Sequence, residues 1–373
     1  MLYHATMTLG FAFAPLHFLL TVLYRGWLGF QVFFALSGFL ITGILLDSRS
    51  RSLLGYLKTF YYRRALRIFP LYYGVIVLLL VLPKVFTVLA GQDYERFVRH
   101  QWWVWAYATN AVREYFHNQP IMEFGWFETT HFWTLAVEEH FYVLWPFLVY
   151  FLTRRGLATL AFLIAGLSLA LWSGLIHMRT ALEAALWSTP RYAGGLALGS
   201  LGALVVRSDL DPKWVVRACR LAIGVGLLAV LTFVLDTNLV VVRGDFLAGG
   251  FPTAAVAFAI ALMTTAVLIQ VTVTPSSRMS RALQHPVLIW FGTYSYGLYV
   301  YHCLWAPWAR AHFPHVSRHY AINAVVYVSA FLAAPTIVAV LSYRFFELPI
   351  LRLKHHRAAN PAHPASGSNA AGA

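Results

Sequence analysis

Long apolar runs separated by short charged loops dominate this chain. A helix needs about 20 apolar residues to cross the hydrocarbon core of a bilayer. Ten runs approach or exceed that length: Leu2–Leu23, Leu28–Leu46, Leu71–Ala90, Phe132–Leu152, Leu157–Ile176, Tyr192–Val206, Val215–Leu235, Phe246–Val271, Pro286–Trp308 and Ala321–Phe345. The sixth is short and rich in glycine. An aromatic stretch, Trp102–Tyr107, is too short to span and is expected at the interface, where indole rings favour the headgroup zone. The pattern predicts an all-α integral membrane protein of about ten transmembrane helices.

Composition agrees. The chain is 60% hydrophobic and 11% charged, against roughly 25% charged residues in a soluble domain. The net charge of +14 does not point to nucleic acid, because the basic residues are spread over the loops between runs. Eighteen of the 28 lysines and arginines fall in alternate loops or at the C-terminal end, from Arg49–Arg67 through Arg154–Arg155, Arg207–Arg220 and Arg278–Arg281 to Arg344–Arg357. The opposite loops hold Asp93, Glu95, Glu114, Glu123, Glu128, Glu183, Asp236 and Asp245. By the positive-inside rule both termini and the arginine cluster are expected in the cytoplasm.

The first run lacks a basic n-region and a small-residue cleavage site, so no cleavable signal is expected. Residues 1–354 read as one membrane domain and residues 355–373 as a disordered cytoplasmic tail. Cys219 and Cys303 fit neither a disulfide nor a thiol motif.

Ionisable groups inside spans cost about 2.5–3.5 kcal/mol each, which makes them functional candidates. Arg63, Arg64 and Arg67 form a dense cluster at the mouth of an apolar run. Guanidinium forks grip phosphate oxygens bidentately, and the alternative reading is a topogenic signal. Glu138 shares a helical face with Tyr142 and Trp145, so the phenol is expected to hold its carboxylate. Glu139 points about 100° away and reads as a hydrated group at the outer boundary. His4 in the first run is either a structural imidazole or a general base for an alcohol. Ser37 is not in a nucleophile elbow; with Gly38 and Gly43 it suggests close helix packing. Ser295–His302, with Tyr299 and His302, is an aromatic-lined sugar site or an aromatic belt. His312, His315 and His319 lack a carboxylate companion, and no metal site is expected.

Taken together these segments resemble acyltransferase family 3, the integral membrane O-acyltransferases of the O-antigen and exopolysaccharide acetylase type. The resemblance runs from His4 to Pro349. It is carried by Leu-Tyr-His in the first run, Phe-Phe-x-Leu-Ser-Gly-Phe-Leu-Ile-Thr at 33–42 and Phe-Tyr-x-Arg-Arg-x-x-Arg-Ile-x-Pro at 60–70. Trp-x-Leu-x-Val-Glu-x-x-Phe-Tyr at 133–142, Ser-Tyr-x-Leu-Tyr-x-x-His at 295–302 and Phe-x-Glu-x-Pro at 345–349 complete it.

The resemblance implies ten helices in a bacterial inner membrane and transfer of an acyl group, acetyl by default, from cytoplasmic acyl-CoA to a carbohydrate or glycolipid hydroxyl on the far side. It places His4 on the family's essential histidine, Arg64 and Arg67 on its Arg-x-x-Arg pair (implicated in the acyl-CoA donor), and Glu138 on its motif carboxylate. Thr134 stands where serine is usual, and Gln31 where many members carry aspartate. Members also carry an arginine ten residues before the histidine, a position this chain does not reach. A late start codon or a truncated first helix is the expectation.

The implied mechanism has the phosphates on Arg63, Arg64 and Arg67, with His4 as base oriented by Glu138 or as a transient acyl carrier. Trp133, Tyr142, Tyr299 and His302 would form the sugar-binding wall. A glycolipid transporter or flippase and a catalytically inactive scaffold for glycan assembly are the alternatives. The absence of repeated halves in the sequence speaks against the transporter.

Overall fold

The computed structural model describes residues 25–86, 93–115, 123–124, 127–235, 250–312 and 320–358. The expected first span, with His4 and His17, lies outside the described residues, as do His315 and His319. A 3-10 turn, Arg25–Gly29, leads into α1 (Phe30–Asp47), followed by α2 (Leu53–Val85). Three short helices follow: α3 (Tyr94–His100), α4 (Trp102–Trp105) and α5 (Thr109–Tyr115). A two-residue hairpin, β1 (Glu123–Phe124) and β2 (Phe127–Glu128), precedes α6 (Phe132–Phe151) and α7 (Arg154–Trp172). Next come α8 (Ala181–Leu186), α9 (Ser188–Tyr192), α10 (Gly194–Val206), α11 (Pro212–Leu235) and α12 (Gly250–Val273). The chain ends with α13 (Arg278–Leu283), α14 (Pro286–Tyr301), α15 (Ala306–His312), α16 (Tyr320–Ser342), a π-helical turn at Tyr343–Glu347 and α17 (Leu348–Ala358).

Six helical segments among the described residues are long and apolar enough to cross a membrane: Phe30–Asp47, Leu53–Val85, Arg154–Trp172, Pro212–Leu235, Gly250–Val273 and Val325–Leu353. Large apolar side chains such as Leu144, Phe162 and Leu221 point outward, as a lipid-facing surface requires. The expected spans at Phe132–Leu152 and Pro286–Trp308 are also helical but fall outside that set. Glu138, Glu139 and His140 lower the hydropathy of α6, and α14 stops after 16 residues, with α15 restarting at Ala306.

Glycine-rich α10 is the hub, packed against α1, α7 and α12. In lipid no hydrophobic force drives one apolar helix onto another, so small residues that let backbones meet decide the contact. A methyl group on Gly199 would strike the Ala35 carbonyl, and one on Gly38 the Leu196 backbone. Polar links lie along the same seam: Thr42 donates to Ser200 (2.8 Å), and the Trp145 indole donates to Thr42 (2.8 Å). The close-packing expectation for Gly38 holds.

One expectation is corrected. The arginine cluster does not lie in a loop: it stands within the 33-residue helix α2, directly before its apolar stretch, and α2 starts behind an N-cap at Ser52. The first half of α2 runs antiparallel along α6. Tyr56 donates to the Pro146 carbonyl (3.1 Å), Tyr61 to that of Val143 (2.8 Å), and Tyr72 packs on Phe132. Arg49, just before α2, caps the far end of α6 through the Tyr150 and Leu152 carbonyls. Packing against α6 therefore extends the helix well beyond the apolar run that hydropathy marks.

Candidate active site

The first half of α2 and α6 stay apart along this pairing, and long side chains bridge the gap. Arg64 is the central bridge. Its Nη2 lies 3.8 Å from Glu138 Oε2 and its Nε 4.0 Å from Glu139 Oε1. The guanidinium carbon sits 3.8 Å from the centroid of the Tyr142 ring, on which it stacks. One cation thus faces two carboxylates and the π-face of a phenol, an arrangement that a planar, weakly hydrated guanidinium suits and an ammonium does not.

One sequence expectation is corrected here. Glu139 is not a hydrated boundary group: it is 8% exposed, and Glu138 is fully buried. Both face Arg64 because successive helical positions diverge by only a third of a turn, narrow enough for one guanidinium to reach both. Tyr142 and Ser37 both stand close to the Glu138 carboxylate. The Tyr142 hydroxyl donates to Ser37 (2.9 Å), and no short, well-aligned hydrogen bond reaches either Glu138 oxygen among the described residues. A buried carboxylate so loosely satisfied is costly and leaves room for another donor or a proton.

The start of α6 and the end of α14 form a second cluster. Tyr299 donates to the His131 carbonyl (2.7 Å) and exchanges a hydrogen bond with Thr134 (3.0 Å). His131 Nε2 lies 3.1 Å from the Val300 carbonyl, so that nitrogen carries the hydrogen and Nδ1 is bare. Burial pushes the His131 ring down to about 3, which keeps it neutral. The His302 ring meets that of His131 edge to face at 5.0 Å, and Phe33 stacks on Tyr299. Tyr299 and His302, two of the expected sugar-binding residues, therefore come together at the α6 N-terminus.

Trp133 lies on a third cluster that sequence reasoning did not assemble. It packs against Phe30 and Tyr192, with the Arg113 guanidinium 4.9 Å from its ring centroid. Beside it, Arg191 pairs with Glu114 (3.3 Å), and Asn110 donates to Ser188 and Thr189. Gln31, at the position where aspartate is common, is 1% exposed, and its amide has no hydrogen-bond partner among the described residues. Charged residues beside aromatic ones, at Arg113-Glu114 and Arg191-Tyr192, were the available signal. Tyr107 is the one non-glycine residue with positive φ (54°) among those described, and it stacks on Tyr72 at 4.2 Å. A tyrosine there is strained and must be held by its surroundings.

Arg63 and Arg67 are exposed and are not brought into the acid pair. The three arginines therefore separate, one inward and two outward.

Over residues 1–344 the sequence matches a family model described as an acyltransferase domain, that of acyltransferase family 3. The chain belongs to acyltransferase family 3. Its curated relatives include the peptidoglycan O-acetyltransferase OatA of Listeria monocytogenes, 30% identical over 342 residues, which are 87% of this chain and 51% of that protein. A putative O-acetyltransferase of Staphylococcus aureus strain COL is 30% identical over 348 residues, 87% of this chain and 52% of the relative. The O-acetyltransferase OatA of S. aureus strain NCTC 8325 is 28% identical over 343 residues, with the same two shares. The chain spans about half the length of the curated relatives it matches. No solved structure matches. Within the family's motifs, those carrying Arg64 and Glu138 are the two that meet across the gap between α2 and α6.

Proposed function

We propose that this chain is a multi-pass O-acyltransferase of the bacterial inner membrane. It would move an acetyl group from cytoplasmic acyl-CoA to a hydroxyl of a cell-envelope carbohydrate, with about ten spans and both termini in the cytoplasm. Peptidoglycan, named for the Listeria relative, is the first acceptor to test. The observation that carries this reading is the fully buried Glu138 facing Arg64 in a chain of this family. A buried carboxylate beside one fixed cation is suited to stabilise a second positive charge that forms during reaction in a water-poor site.

In this reading His4 removes the proton of the acceptor hydroxyl. The oxygen attacks the thioester carbonyl, the carbon–sulfur bond breaks, and CoA leaves with the proton on sulfur. Glu138 stabilises the charged imidazole. Arg64 supplies the positive charge that lets Glu138 remain an anion, so the phosphates fall to the outward-facing Arg63 and Arg67. Trp133, Tyr299 and His302 border the acceptor, while Tyr142 positions Arg64.

The test is an assay on purified protein with radiolabelled acetyl-CoA, with and without peptidoglycan fragments and other envelope glycans. Label appearing on a glycan supports the reading. A protein that neither binds nor consumes acetyl-CoA overturns it in favour of transport or scaffolding.

A further inference from the structure

A cavity of about 300 Å³ opens between α2, α14, the π-helical turn and α17. Arg67, Gly292, Thr293, Tyr296, Tyr343 and Glu347 are among its walls. The outer walls, Arg67, Gly292 and Thr293, are exposed, and Glu347 closes the deep side at 8% exposure. Glu347 Oε1 accepts from Ser342, which in turn accepts from Tyr301. The π-helical turn brings Tyr343 and Glu347 to the same cavity, and such turns are frequent at functional sites. Tyr296 links it to the acid pair: its hydroxyl donates to the Ile68 carbonyl (2.8 Å), and it lies within electrostatic reach of Arg64 and Glu139.

We propose that this cavity holds the uncharged amide-bearing arm of the acyl-CoA donor and directs the thioester toward the Arg64–Glu138 gap. The proposal rests on the acyl-CoA reading above. One cation and one buried carboxylate face a common space, so the lining is close to neutral overall. A phosphate placed there would meet Glu347. A secondary amide offers an N–H to a carboxylate and a carbonyl to a guanidinium or a phenol, which is the pairing these walls provide. The volume lies at the small end of ligand pockets, enough for an arm and too little for a whole nucleotide-bearing donor. The anionic end then stays outside, near Arg63 and the rim at Arg67.

Gly292 supplies the test. A Cβ there meets nothing within 4 Å, so a larger residue enters the cavity without straining the helix. The full chain in lipid nanodiscs, as wild type, Gly292→Leu and Glu347→Gln, is titrated with CoA and with pantetheine as competitor. Retained phospholipid is read in parallel by native mass spectrometry. The expected result is that pantetheine displaces CoA from wild type and that both variants bind CoA at least about tenfold more weakly while melting as wild type. CoA bound equally by all three forms, or not displaced by pantetheine, overturns the assignment and leaves the acyl-CoA reading standing. A phospholipid lost from Gly292→Leu with CoA binding unchanged overturns it in favour of a lipid headgroup. Wild type that binds no CoA removes the acyl-CoA reading, and the proposal with it.

Discussion

Two helix contacts in this molecule are built on opposite plans. Where α10 meets α1, glycines let backbone touch backbone, and Thr42, Ser200 and Trp145 close the few polar gaps with short hydrogen bonds. Where α2 meets α6, the backbones stay apart and tyrosines and Arg64 reach across. The first contact excludes ligand, water and charge by leaving no space. The second leaves a gap, and its buried carboxylates lie there. Chemistry in a bundle of this kind belongs where helices are held at a distance, and the close seam is what holds them there.

The largest effect expected from breaking that contrast is on turnover. His4→Ala should lower acetyl transfer by about 10²–10⁴-fold, the usual contribution of a general acid–base group. Glu138→Gln, which removes the charge that stabilises the imidazolium, should lower it by a comparable factor, each with unchanged melting in detergent. Full activity in either would remove that residue from the mechanism. Arg64→Met should cost about 3–5 kcal/mol of stability by leaving buried carboxylates uncompensated. Adding Glu138→Gln and Glu139→Gln to it should restore most of the loss, and a triple variant no more stable than Arg64→Met would mean that Arg64 acts by packing alone.

On the seam, Gly199→Val should destabilise by at least about 1–3 kcal/mol, as overpacking does, and should lower the yield of folded protein. Wild-type yield and melting would show the α1–α10 contact to be loose. Thr42→Val removes the acceptor of the Trp145 indole and should cost about 1–3 kcal/mol, again read by melting. At the small end, Asp93→Asn breaks an exposed pair with Arg96 (3.3 Å) and should change stability by less than about 1 kcal/mol.

Much of the fold was legible because lipid imposes a length rule. Most of the apolar runs past the first fall on helices, and the small residues of Ser37-Gly38 announced a close contact. Hydropathy misjudged α2, since tyrosine and arginine at 56–67 lower the local score while supplying the groups that dock on α6. Glu138 could be picked out as a charge inside a span. That its partner is Arg64 could not be read, because the pairing joins residues far apart in sequence through a gap that only the folded helices define. Glu139 was misplaced for the same reason: its burial depends on α2, not on its own helix. The Arg113, Glu114 and Arg191 cluster needed three helices to be assembled before it meant anything.

The pairing of Arg64 with Glu138 also sets an order of events during synthesis. At 33 residues, α2 is roughly 50 Å long, and it leaves the ribosome before α6 exists. An arginine inside a bilayer costs about 2.5–3.5 kcal/mol, a debt that no neighbour can relieve until the neutralising carboxylates arrive. The first half of α2 is therefore expected to settle only when α6 enters beside it: in a stalled chain ending before Phe132, Arg64 should stay accessible from water.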